Sequence, residues 1–295
     1  MSFEEKIREI EDEIKKTPSN KATQGHLGKL KAKLAVLRDK SDLERSVKKS
    51  GTGSHGYNVK KLGNATAVFV GFPSVGKSTI LNRLTNAESR VAAYEFTTLD
   101  VVPGVMKYRG AYIQLLDVPG ILEDASAGRG RGREVLAAVR GADMVLIVVD
   151  IKKLNQLEII KNEILRSNIR PNVSPPDILS RKKDRGGVNI TSTVKQAKLS
   201  KDTMNTIARE MGYMNADIVL REEVTSERLI DGLAKNRVYM PMLVVVNKID
   251  TVSNDELKTA LSTVKDKYVA ISAENGENLE LLRQKIFGMT RLVRI

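Results

Sequence analysis

The chain has 295 residues, enough for one sizeable core or one core with smaller modules, and its 41% hydrophobic and 29% charged content are those of an ordinary globular protein. It holds no cysteine, which excludes disulfides and thiolate metal centres and makes a reducing compartment the simpler assumption. Net charge is +13, and between Lys15 and Lys61 there are 13 Lys and Arg against 3 Asp and Glu, which leaves +10 in that stretch alone. Such a cluster is the footprint of a polyanion contact, with RNA or the ribosome first in line and Lys29, Lys31 and Lys33 as candidates. A solvated helix face with a basic linker is the other reading. Aromatics make up 4%, too few for stacking platforms, so phosphate contacts would dominate and sequence-specific DNA recognition is not expected.

The first segment, MSFEEKIREIEDE, is acidic and amphipathic, unlike a secretory or transit leader. No apolar run approaches the roughly 20 residues that span a bilayer, so no membrane partner is expected and the cytoplasm is the default. Phe3, Ile7, Ile10 and Ile14 recur at helical spacing, Thr17–Asn20 breaks the pattern, and Leu27, Leu30, Leu34 and Leu37 resume it. These stripes predict a helical hairpin that leans on something further, followed by a linker over Ser50–Gly56. From Leu62 short apolar runs alternate with helical patterns: Ala65–Val70, Tyr112–Asp117, Met144–Asp150, Met242–Asn247 and Tyr268–Ser272. Runs this apolar predict a mostly parallel sheet buried on both faces, with a final helix over Leu279–Met289. Between Asp150 and Pro241 about 90 residues stand where one helix and a loop would suffice. Leu154–Asn168 supplies the helix. The rest, with strands at Val188–Val194 and Asn215–Leu220 and helices at Ser200–Gly212 and Ser226–Asn236, predicts an inserted α+β module after a loop over Arg170–Gly187. The expected divisions are 1–61, 62–168, 169–236 and 237–295.

Four motifs fall at the ends of these strands, where open α/β sheets bind ligands. GFPSVGKST, Gly71–Thr79, follows a strand and opens a helix, as a phosphate-binding loop requires. Its backbone at Ser74, Val75, Gly76, Ser78 and Thr79 would cradle phosphates, Lys77 would reach the outer ones, and the Ser78 hydroxyl would ligate magnesium. DVPG, Asp117–Gly120, would hold magnesium through Asp117 and meet the last phosphate with the Gly120 N–H. In NKID, the Asp250 carboxylate suits the N1–H and 2-amino group of guanine, Asn247 would brace the phosphate loop, and the stem of Lys248 could lie against the base. In SAE, Ser272–Glu274, the Ala273 N–H can meet guanine O6. EFTTLD, Glu95–Asp100, offers a Thr that closes onto magnesium and the γ-phosphate; Thr98 is favoured and Thr97 is the alternative.

These residues resemble those of the developmentally regulated GTP-binding protein family, archaeal members included, within the Obg-like translation-factor-class GTPases. The resemblance runs through KATQGHLGKLKAKLAVLRDK, GFPSVGKST, VAAYEFTTLDVVPGV, IQLLDVPGI, GRGRGREV, RKKDRGGVNIT, NRVYMP and NKID, and covers essentially the whole chain. It implies an α/β fold of the P-loop NTPase class with a Ras-like G domain, an N-terminal helical hairpin and an inserted small α+β domain of a kind found in ribosomal proteins. It also implies GTP or GDP with Mg2+ as ligands, GTP hydrolysis, ribosome association, a dedicated stabilising protein partner, and a small β-rich domain after a segment like LVRI. The chain ends at Ile295, so that last domain is expected to be missing or cut away. Related potassium-stimulated GTPases carry Asn where Ser74 stands here, which leaves K+ activation open.

Many nucleotide switches place a water-steering Gln after the Asp-x-x-Gly motif; here Ile121 follows. Lys77, Thr98 and Gly120 are the catalytic candidates, and slow intrinsic turnover is expected. Arg129, Arg131 and Arg133 could stabilise charge in cis, but a switch segment that meets RNA or a partner suits them better. A GTP-sensing scaffold, with hydrolysis incidental, is the competing function.

Overall fold

A computed structural model describes residues 3–20, 22–47, 63–85, 102–118, 138–290 and 292. They fall into two units, Met1–Ser54 with Ser174–Arg237, and His55–Val173 with Val238–Ile295.

The Val-, Ile- and Leu-rich runs form the sheet of the second unit. Its strands are β1 (Ala65–Val70), β2 (Val102–Tyr108), β3 (Ala111–Asp117), β4 (Met144–Asp150), β10 (Met242–Asn247) and β11 (Tyr268–Ala270). They lie in the order β11-β10-β4-β1-β3-β2, parallel throughout except at the β2–β3 edge. Alternate side chains enter opposite layers. Phe69, Leu115, Leu146 and Val245 pack with α3 (Lys77–Leu84) and α8 (Leu279–Met289) through Ile80, Leu84, Leu282 and Ile286. Val68, Val70, Ile147 and Val246 pack with Ile160 and Ile164 of α4 (Gln156–Arg166) and, at the margin, Leu257 and Leu261 of α7 (Asn254–Ser262). Burial on both sides is what favours continuous apolar strands over alternating ones.

The sequence predicts no strand between Val70 and Tyr112, yet β2 forms a hairpin with β3 through Arg109 and Gly110. Pro103 and Gly104 hide it, because both are poor strand residues and are tolerated at a sheet edge. Two short strands, β5 (Ile169–Pro171) and β9 (Val238–Met240), pair in parallel where the chain leaves this unit and returns. Asn172 locks that exit, accepting from the Met242 N–H and donating to the Met242 carbonyl, each at 2.8 Å. The inserted segment therefore begins after β5, at Ser174.

In the first unit α1 (Phe3–Lys16) and α2 (Gln24–Val47) make the expected hairpin, with Ile10, Leu30 and Leu34 between them. The Asn20 side chain closes the turn by accepting from the Ala22 and Thr23 N–H groups. Strands β6 (Ile178–Lys182), β7 (Val188–Ser192) and β8 (Ala216–Leu220) form a sheet in the order β6-β8-β7. Helices α5 (Lys201–Glu210) and α6 (Ser226–Leu233) cover one face, each started by a side-chain cap, Ser200 and Thr225. The predicted loop over Arg170–Gly187 thus contains β6 and the last two residues of β5. α2 also packs on this layer: Ala32 is fully buried among Ile207, Ala208, Leu229 and Leu233, and a Cβ on Gly28 would crowd Ile207 and Thr203. Hairpin and insertion share one unit, tied further by the buried Arg237 guanidinium, 2.9 Å from Asp231 and 3.5 Å from Asp39. No helix among the described residues is long and apolar enough to cross a membrane.

Candidate nucleotide-binding site

Register places the motif residues at one end of the sheet: Phe69 stands beside Asp117, and Asn247 beside Asp150. From β1 the chain turns through Ser74, which takes a left-handed φ of 60°, into Gly76 at φ 93°, and α3 begins at Lys77. Gly76 has a second reason besides its φ: a Cβ there would overlap the Asn247 amide nitrogen. α3 starts without a side-chain cap. An uncapped helix start presents N–H groups and a partial positive charge to an anion.

Lys77 Nζ arches back over the loop to the Gly71 and Phe72 carbonyls, at 3.0 and 3.1 Å. The Ser78 hydroxyl donates to Asp117 Oδ2 at 2.5 Å. A hydroxyl and a carboxylate meeting beside a phosphate loop fit a hard cation that draws its remaining ligands from water and phosphate. Among the described residues no group of three His, Cys, Asp or Glu side chains offers a metal site of its own. Thr79 follows inside the helix, half-buried.

Asn247, 2% exposed, joins two loops: its Nδ2 donates to the Val75 carbonyl at 2.8 Å, and its Oδ1 accepts the Ala273 N–H at 3.0 Å. That N–H, expected to meet guanine O6, is thus engaged within the protein. The next amide, Glu274 N–H, has no acceptor among the described residues. Lys248, with φ 65°, turns the chain into the short 3-10 helix that carries Asp250, whose carboxylate is exposed. Its ammonium lies 2.9 Å from Asp150 Oδ2. Burial pushes the Asp150 carboxyl upward, but the Lys152 N–H and the Lys248 ammonium outweigh it and hold the group below the ordinary aspartate value. Ser272 is fully buried, and its hydroxyl accepts the Asn275 N–H, which tightens the loop after β11.

Sequence reasoning missed Arg83 in the last turn of α3, whose guanidinium bonds the Ala273 and Glu274 carbonyls. A last-turn Arg resembles an ordinary helix-end charge, so no signal marks it. It also missed Asp150, which reads as one more strand end. Thr97, Thr98, Gly120, Ile121, Arg129, Arg131 and Arg133 lie outside the described residues. In the other unit Lys29 faces Glu210 at 3.7 Å, Lys31 is ion-paired with Glu227, and Lys33 is exposed.

Comparison with known proteins agrees with this geometry. Residues 66–181 match a family model described as 50S ribosome-binding GTPase, and residues 185–292 match one described as the C-terminal region of the MMR_HSR1 domain. A GTP-binding protein of Methanocaldococcus jannaschii is 51% identical over 298 residues, covering 100% of this chain and 75% of the relative. Developmentally-regulated GTP-binding protein 1 of Xenopus laevis is 48% identical, covering 98% of this chain and 78% of its own length. Ribosome-interacting GTPase 1 of Saccharomyces cerevisiae is 45% identical, with 99% and 79% covered. A phosphate loop, a guanine-type loop pair and identity at this level over nearly the full length leave one assignment: the chain is a P-loop GTPase of the developmentally regulated GTP-binding protein family.

Proposed function

We propose that this GTPase is a slow molecular switch of the cytoplasm whose GTP-bound form engages the ribosome or its RNA. The observation that carries the reading is Asn247, which ties the phosphate loop to the base-reading loop through one side chain. A nucleotide seated at both loops is then sensed as one object. The yeast relative's name as a ribosome-interacting GTPase supports the ribosomal half.

In this reading Lys77 leaves the loop carbonyls for the outer phosphates, and the amides at the start of α3 face the same oxygens. Ser78 and Asp117 hold Mg2+, and Mg2+, when bound, offsets charge on the phosphate oxygens. Thr98 and Gly120 close on the γ-phosphate. Asp250 reads N1–H and the 2-amino group, and the Lys248 stem, anchored through Asp150, flanks the base. Ile121 steers no water, so the intrinsic step is slow and its acceleration comes from outside that position. Arg129, Arg131 and Arg133 supply the switch surface that meets RNA or a stabilising partner protein. On the other unit Lys29 and Lys33 are both exposed, and acidic neighbours partly offset Lys29 and Lys31. K+ stimulation belongs to the same proposal, although Ser74 offers a hydroxyl, a poorer ligand than the Asn amide that related potassium-stimulated GTPases carry there.

Single-turnover GTP hydrolysis with and without ribosomes, in potassium and in sodium chloride at equal ionic strength, tests this. Stimulation by ribosomes of about tenfold or more is expected. No stimulation would favour the scaffold function, and equal rates in the two salts would remove the K+ part.

A further inference from the structure

We propose that Arg83 is a positioning residue for purine recognition: it aims the Glu274 N–H at the 6-oxo group of the base. The proposal rests on the nucleotide-site reading above.

Arg83 sits one helix away from the phosphates. α3 has eight residues, so it spans about 12 Å, with Lys77 and Ser78 at its phosphate end and Arg83 in its last turn. From there Nε donates to the Ala273 carbonyl at 3.1 Å and Nη2 donates to the Glu274 carbonyl at 2.6 Å. The guanidinium fork holds two successive carbonyls at once, which an ammonium cannot do with the same geometry. The Arg83 backbone is fixed in turn, because its own carbonyl accepts from Arg283 Nη2 of α8 at 2.8 Å.

Peptide planarity turns these bonds into an aiming device. The Ala273 carbonyl and the Glu274 N–H belong to one trans peptide and point in opposite directions. Drawing the carbonyl onto Arg83 therefore directs the N–H to the other side of the loop. The next peptide is fixed in the same way, by Arg83 at the Glu274 carbonyl and by the Ser272 hydroxyl at the Asn275 N–H. The preceding N–H, of Ala273, is taken by Asn247. One N–H in this run, that of Glu274, has no acceptor among the described residues and is oriented by its neighbours. A fixed donor selects a 6-oxo purine over adenine, whose 6-amino group would oppose it.

The test titrates GDP, IDP and ADP into the full chain and into R83A and R83K, and adds steady-state GTP kinetics. Hypoxanthine keeps the 6-oxo group of guanine and lacks the 2-amino group that Asp250 would read. R83A is expected to weaken GDP and IDP by the same factor, about tenfold, the loss of one to two charge-assisted bonds. ADP affinity stays as it is, so discrimination falls by that factor. R83K falls between the two, and KM rises while kcat stays within about twofold, because the phosphate contacts are untouched. D250N serves as the contrast, lowering GDP affinity far more than IDP affinity. R83A retains the backbone carbonyl that Arg283 holds, and its thermal melting reports whether the fold survives; if it does not, R83K carries the same comparison. Wild-type GDP affinity in a folded variant overturns the proposal, as does an equal loss for GDP and ADP. A wild-type chain that does not prefer GDP to ADP contradicts the nucleotide-site reading itself, and the proposal with it.

Discussion

Asn247 makes two bonds that need opposite polarity at the two ends of one short side chain. Its amide nitrogen faces a carbonyl and its amide oxygen faces an N–H, both from loops it does not belong to. Asp would present an oxygen to the Val75 carbonyl, and Ala would leave the carbonyl and the Ala273 N–H unpaired in a site that is 2% exposed. An unpaired buried polar group costs about 1–3 kcal/mol, so N247A should weaken GDP binding by at least about thirtyfold by calorimetry. A loss below about threefold would show that the two loops hold their places without it. This residue was legible from the sequence because NKID follows an apolar run. Arg83 and Lys248 were not legible in their full roles. The first acts through backbone carbonyls, which carry no residue identity; the second combines its αL backbone with an ion pair to Asp150, a residue distant in sequence.

At the scale of elements, periodicity served well where a segment buries large side chains and poorly where it buries small ones. The five apolar strands, α8, and α5, α6, β7 and β8 of the insertion follow their predicted segments closely, whereas β6 falls in a predicted loop. β2 escaped through Pro103 and Gly104. The second buried face of α2 escaped because it consists of Gly28 and Ala32, which the leucine stripe on the adjacent face outweighs in any hydropathy pattern. That small-residue face lets α2 approach α5 closely, and Arg237 completes the joint with 3% side-chain exposure. Removing its partner in D231A leaves a buried cation with weaker compensation, at a cost of about 3 kcal/mol. Exchange of the Ile218 and Leu220 amides in β8 should accelerate about a hundredfold by native-state hydrogen exchange. K29A, which breaks a longer and more exposed pair, should change exchange little. Equal effects of the two substitutions would show that the Arg237 cluster does not hold this unit together.

For the whole molecule, the charge of +13 suits a polyanion partner but does not say which lysines would meet one. In the structure Lys31 is ion-paired with Glu227, Lys29 lies 3.7 Å from Glu210 with its side chain 53% exposed, and Lys33 is exposed. A sequence gives the density of charge, whereas only the fold shows how much of it is already compensated. If the nucleotide governs association with the ribosome, co-sedimentation of the chain with ribosomes will differ between GDP and a non-hydrolysable GTP analogue. The chain should pellet with the ribosomes in the analogue, progressively less as salt rises, and remain in the supernatant in GDP. The same distribution in both nucleotides would show that the nucleotide does not govern association.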